Sequence, residues 1–98
     1  ADLSGKWNTG EKNTIVQFEE VEGEIIGKII SSGNKKVEPG TLIMKEVVPE
    51  GDHWSGKIFS LKRKKWYDTE ISASVYSLSI VISVGFHEKT IRWTKESE

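Results

Sequence analysis

Ser77-Leu78-Ser79-Ile80-Val81-Ile82-Ser83-Val84 is the stretch that decides the fold. Leu78, Ile80, Ile82 and Val84 fall on one side of an extended chain, and Ser77, Ser79 and Ser83 on the other. A period of two marks a half-buried strand, whereas an amphipathic helix repeats its apolar residues at three and four. The same signature continues outward in both directions. Upstream, Lys65 to Ala73 sets Tyr67, Thr69, Ile71 and Ala73 against Trp66, Asp68, Glu70 and Ser72. Before it, Trp54, Gly56 and Ile58 alternate with Ser55, Lys57 and Phe59. Downstream, Lys89 to Lys95 puts Ile91 and Trp93 on one face. Thr41 to Val48, Glu24 to Ile30, Thr14 to Glu19 and a short Gly5 to Thr9 bring the predicted strands to eight. Turn residues separate them: Val21-Glu22-Gly23, the polar run Ser31 to Gly40, and Pro49-Glu50-Gly51-Asp52, where Pro fixes one corner and Gly permits the other.

Short strands joined by short connections, with no helical stretch, predict an antiparallel meander. Such a sheet does best by closing on itself, because closure removes its unpaired edges. The expected fold is therefore all-β: one domain over residues 1–98, an eight-stranded antiparallel up-and-down barrel with little or no helix. A two-sheet sandwich is the alternative. An eight-stranded interior is just wide enough to be filled by side chains or to hold one small ligand.

Composition narrows the partners. The 98 residues carry 14 Lys and Arg against 15 Asp and Glu, a net charge of −1. No nucleic acid is expected as a partner, since such binders need surplus positive charge to displace counterions. There is no cysteine, which excludes disulfides, thiolate metal sites and thiol catalysis. No apolar run approaches the ~18 residues of a transmembrane segment. The start Ala1-Asp2-Leu3 reads as a mature form released from a signal peptide, so a periplasmic or secreted location is expected.

Leu3-Ser4-Gly5-Lys6-Trp7 contains the Gly-x-Trp pattern found at the first strand of lipocalins and their relatives. The chain as a whole resembles the bacterial lipocalin-like family called domain of unknown function 2147. The matching segments are Gly5-Lys6-Trp7, Gly27-Lys28-Ile29, Trp54-Ser55-Gly56-Lys57-Ile58-Phe59, Trp66-Tyr67 and Trp93-Thr94-Lys95. The resemblance implies that Trp7 plugs one end of the barrel, with a basic residue stacked over it, Lys95 or its neighbour Arg92. Two segments depart from the family: the acidic, Pro-bearing stretch after the third strand is cut to Ser31–Gly40, and Ser60-Leu61-Lys62-Arg63-Lys64 replaces a later Asp-Pro and Gly turn. The family implies a fold more than an activity. Avidins also begin with Gly-x-Trp, but this chain lacks the later Trp-rich strands that wall a biotin site.

The sequence holds little chemistry. His53 and His87 sit beside predicted turns, and no His-x-His, His-x-x-x-His or carboxylate cluster of metal-ligand spacing accompanies them. No Gly-x-Ser-x-Gly elbow and no phosphate loop is present. No enzyme activity, metal or cofactor is expected. Two functions remain. In the first, the inward set Val16, Phe18, Ile25, Ile29, Trp54, Ile58, Tyr67, Ile71, Leu78, Ile80, Ile82 and Trp93 lines a cavity for one small apolar or amphipathic molecule. Its ligand is placed against Trp54, Ile58, Tyr67 and Thr69, where two aromatics adjoin a phenol and a hydroxyl and Gly56 leaves room in the wall. In the second, a solid barrel binds a macromolecular partner through exposed Trp66 and Phe59 and the basic run Lys62-Arg63-Lys64-Lys65. A void of ~300 Å³ or more favours the first, a filled interior the second.

Overall fold

A computed structural model describes residues 2–96, and every regular element in it is a strand. In chain order they are β1 (Lys6–Asn8), β2 (Ile15–Val21), β3 (Glu24–Ser31), β4 (Leu42–Glu50), β5 (His53–Ser60), β6 (Lys65–Ala73), β7 (Ser77–Val84) and β8 (His87–Lys95). Each pairs antiparallel with the next and β8 pairs with β1, so the sheet closes into a barrel in plain meander order. Closure excludes the sandwich. No helix of the described residues is long and apolar enough to cross a membrane. Ala1, the first residue of the start read as a mature N-terminus, lies outside the described residues.

The alternation that identified β7 also fixes its register. Leu78 lies opposite Ala73 and Trp93, and Ile80 opposite Ile71 and Ile91, all on the inner face. Ser79 lies opposite Ser72 and Arg92 outside. A slip of one residue would carry the whole apolar set into water, at roughly 1.5–3 kcal/mol for each buried aliphatic side chain. Two hairpin tips follow from local chemistry. Gly85 takes a φ of 62° at the first central position of the two-residue β7–β8 turn, where hairpins favour glycine. In the β5–β6 turn, Lys64 N–H donates to the Ser60 carbonyl at 2.7 Å and Arg63 N–H to Ser60 Oγ at 3.1 Å.

Most of the expected interior is buried: Val16, Phe18, Ile29, Ile58, Ile71, Leu78, Ile80 and Trp93. Ile25, Trp54, Tyr67 and Ile82 are only half-buried, and Leu3, Ile43, Met44 and Val47 join the core unforeseen. The inward facing of both Met44 and Val47 follows from a bulge. Glu46 adopts a left-handed φ of 55°, and the β4–β5 ladder jumps from Lys45↔Lys57 to Val48↔Ser55. One extra residue on β4 reverses its parity, so Met44 and Val47, an odd number apart, both point inward. β4 also runs through Pro49, which pairs with Trp54, so the expected turn Pro49–Asp52 shrinks to Gly51-Asp52. Pro is tolerated there because the β3 ladder has ended at Ile25↔Val47, leaving a strand end with one open edge.

Candidate functional site

The plugged end of the barrel is built around Trp7. Its ring is 1 % exposed, and its indole N–H donates to the Leu3 carbonyl at 3.0 Å, so its one polar atom is satisfied in the interior. Lys95 Nζ lies 4.6 Å from the ring centroid and donates to the Ser4 carbonyl at 2.8 Å. Gly5, with a φ of 101°, bends the chain under that ammonium group; a Cβ there would sit 2.9 Å from Lys95 Cε. Of the two basic candidates, Lys95 therefore takes the place over Trp7. Arg92 does not: it lies opposite Ser79 on the outer face and is exposed, because its parity is opposite to that of inward Trp93.

The four residues expected to hold a ligand do not form a common mouth. Ile58 and Tyr67 lie opposite one another in the β5–β6 ladder, and Ile58 is buried. Thr69 is 3 % exposed and its hydroxyl donates to the Val81 carbonyl at 2.8 Å, so it is already engaged. Trp54 sits opposite Ile71, toward the other end of β5, about 13 Å along the strand from Ile58 at ~3.3 Å per residue. Gly56 leaves no room. A Cβ there would meet Val47 Cγ2 at 3.0 Å, the Lys45 carbonyl oxygen at 3.1 Å and Val47 Cα at 3.2 Å. Gly27 is likewise a close approach, with Met44 Cβ and Phe18 Cε1 each 3.2 Å from such an atom. Both glycines let atoms of the adjacent strands approach closely.

Among the described residues, the depressions open to solvent include two of note. One, of about 270 Å³, lies on the outer face across β5 and β6 and is lined by Glu46, Lys57, Asp68 and Glu70 among others. The other, of about 290 Å³, lies at the end opposite the plug, between Lys12 and Thr14, Asn34 and Val37, and Leu61. There the two loops are tied, Gly33 N–H donating to the Lys12 carbonyl at 2.7 Å and Thr14 Oγ1 lying 2.8 Å from Ser32 Oγ.

Charge and aromatic surface concentrate on the outer face of β4, β5 and β6. Phe59 and Trp66, expected to be exposed, are half-buried: they are cross-strand partners with ring centroids 5.2 Å apart, Phe59 packs against the core, and Lys45 Nζ stands 4.3 Å from the Trp66 centroid. Lys57 Nζ pairs with Asp68 Oδ1 at 2.8 Å. Beyond Trp66 the hairpin tip carries Lys62, Arg63, Lys64 and Lys65, all exposed. Among the described residues, none of these four makes an ion pair. Asp68 and Glu70 point outward, as their parity predicts.

His53 is more engaged than its turn position suggests. Nδ1 lies 3.1 Å from Asp52 Oδ1, and Nε2 lies 3.4 Å from Glu70 Oε1 and 3.9 Å from Glu50 Oε2. The bond to Asp52, with the charges of Glu70, Asp52 and Glu50, raises the imidazole above its ordinary value near 6.5. The same bond lowers Asp52 below 3.8. A raised histidine stabilises the fold when protonated, so its contribution is present below ~6.5 and is lost as pH climbs through the raised value. Asp52 works in the opposite direction, its contribution being lost as pH falls below the carboxylate range. His53→Gln should therefore weaken the protein at pH 5.5 and leave it nearly unchanged at pH 8.5, as read by denaturant melts at both pH values. Equal losses at both would remove the electrostatic role. No group of metal-ligating side chains occurs among the described residues.

A scan against protein-family models and searches of curated proteins and solved structures returned no match.

Proposed function

We propose that this barrel is a non-catalytic interaction module whose β5–β6 hairpin receives an acidic segment of a protein partner. The observation that carries the reading is the run of four exposed cations, Lys62 to Lys65, without ion pairs among the described residues and beside the Phe59–Trp66 pair. Carboxylates would neutralise the tip, and apolar side chains flanking them would cover the half-buried rings. Aromatic residues beside Arg and Lys are what interface centres favour. The close approaches at Gly27 and Gly56 weigh against a small apolar molecule held inside. The Trp7–Lys95 stack supports the lipocalin-like resemblance, which concerns the scaffold and leaves the partner open. A second reading keeps a small amphipathic ligand but moves it to the depression with Val37 and Leu61, whose apolar side chains adjoin Lys12.

The test is an amide-resonance titration with a glutamate-rich peptide bearing a central phenylalanine, alongside a fatty acid. Saturable shifts over residues 59–66 that weaken with salt are expected from the peptide. Lys62→Glu with Lys64→Glu should reduce its affinity at least ~10-fold, about 1.4 kcal/mol. Peptide shifts indifferent to that charge reversal would overturn the proposal. Fatty-acid shifts confined to Val37 and Leu61 would instead establish the second reading.

A further inference from the structure

The barrel is closed by a short seam, and one strand edge beside that seam is open. β1 covers only Thr94 and Lys95 of β8, while the β7–β8 ladder runs on to Val84↔His87. Lys95 N–H donates to the Tyr76 carbonyl on the β7 side at 2.8 Å, and Glu96 N–H donates to the Lys6 carbonyl on the β1 side at 2.8 Å. Backbone groups in an antiparallel strand alternate between its two edges. The odd positions of β8 therefore face β7, and Glu88, Thr90 and Arg92 present their N–H and C=O groups to the open edge. All three are exposed. The β1–β2 loop does not cover this edge with main-chain bonds; Thr9 N–H and the Thr14 carbonyl close on each other at 3.0 Å. At the tip, Phe86 is fully exposed.

We propose that this edge pairs with the same edge of a second copy of the chain, antiparallel about a two-fold axis at Thr90. Self-complementarity carries the assignment. With the axis at Thr90, Thr90 faces Thr90 of the second copy, and Glu88 faces its Arg92 in both directions. All three free positions then become hydrogen-bonded pairs, and each glutamate meets an arginine on the outer face. Thr–Thr and opposite-charge pairs are favourable cross-strand neighbours. Moving the axis by one residue in either direction uses only two free positions and loses the charge match. An edge of a single sign would repel its copy, which is how sheet edges are commonly kept apart; this one alternates. The contact is one strand wide, at the low end of interface size, so the association is expected to be weak and visible at high protein concentration.

Sedimentation equilibrium over a concentration series reads the outcome directly. The wild type should approach twice its 11.1 kDa at the highest concentrations. Arg92→Glu places Glu opposite Glu twice and should weaken dimerisation at least ~10-fold with an unchanged circular dichroism spectrum. The double exchange Glu88→Arg with Arg92→Glu preserves the match and should restore the dimer. Thr90→Pro removes an N–H that faces only the open edge, which an edge strand tolerates, and should give a folded monomer. A wild type that stays monomeric to ~1 mM overturns the proposal, as does a dimer that survives both Arg92→Glu and Thr90→Pro.

Discussion

Trp7→Ala is expected to cost ~3–5 kcal/mol, the scale for truncating a buried large aromatic. In a domain of this size that lowers the melting temperature by roughly 12 °C or more. The position explains why the loss should fall at the upper end. Trp7 lies opposite Val16 on β2 and Lys95 on β8, so the cavity would open where three residues of β1 hold the barrel shut. It would also strand the buried Leu3 carbonyl that accepts the indole N–H. Lys95→Met keeps an unbranched apolar stem beside the Trp7 ring but removes the ammonium group, and should cost only ~0.5–1 kcal/mol, the scale of an exposed cation–π contact. Gly5→Ala forces a side chain onto a φ of 101° and against Lys95, and should fall between the two at ~1–3 kcal/mol. Because both substitutions disturb Lys95, Gly5→Ala and Trp7→Ala should combine to less than their sum. Chemical melts of the four variants decide this. A Trp7→Ala protein within ~1 kcal/mol of wild type would mean that the seam does not depend on the plug.

The fold was legible because burial enforces a period of two wherever a strand has one wet face. β6, β7 and the inner part of β8 carry that period without interruption, and their registers run unshifted from Thr69↔Ile82 to Leu78↔Trp93. β4 was not legible in the same way. Its bulge rests on Glu46 in a left-handed conformation that sequences commonly assign to Gly or Asn, so Leu42 to Val48 offers no turn signal. The buried Met44 and Val47 are consistent with the fold only once that extra residue is counted. Pro49 misled for a related reason: its ring suits a strand whose neighbour has ended, and strand ends depend on lengths that no local pattern encodes.

The site was legible only in part. Lys95 over Trp7 was anticipated from the motif at each end of the chain, and parity separated it from Arg92. The carboxylates around His53 come from three places, Glu50 and Asp52 across a turn and Glu70 on the neighbouring strand, so their convergence depends on the β5–β6 register. The open edge of β8 was equally hidden. Its existence follows from the brevity of β1: the sequence reading extended the strand from Gly5 to Thr9, whereas it stops at Asn8, and Gly10 at a φ of 84° lies in the loop that follows.

Gly56→Val separates a packed inner wall from a hollow one. Placed in an open strand position, the substitution gains: the unfolded chain loses the freedom of glycine, worth ~0.4–1 kcal/mol, and a β-branched residue suits a strand. Placed against a filled wall it loses ~1–3 kcal/mol through overpacking. The contacts at Gly56 select the second outcome. Two of the three nearest atoms, the Lys45 carbonyl oxygen and Val47 Cα, belong to the β4 backbone at 3.1 and 3.2 Å, and that backbone is the bulge itself. It can retreat only by undoing the turn at Glu46, which also holds its N–H to Glu24 Oε1 at 3.2 Å. Gly27→Ala provides the comparison, since two of its three nearest atoms belong to the Phe18 ring, which can shift, and only Met44 Cβ at 3.2 Å is fixed by its backbone, so it should cost less. Destabilisation by Gly56→Val well beyond that of Gly27→Ala would confirm that β4 fills the space a ligand would need. A stabilised Gly56→Val protein would mean that the wall can yield, and Trp54, Ile58 and Tyr67 would regain their claim as the lining of an interior site.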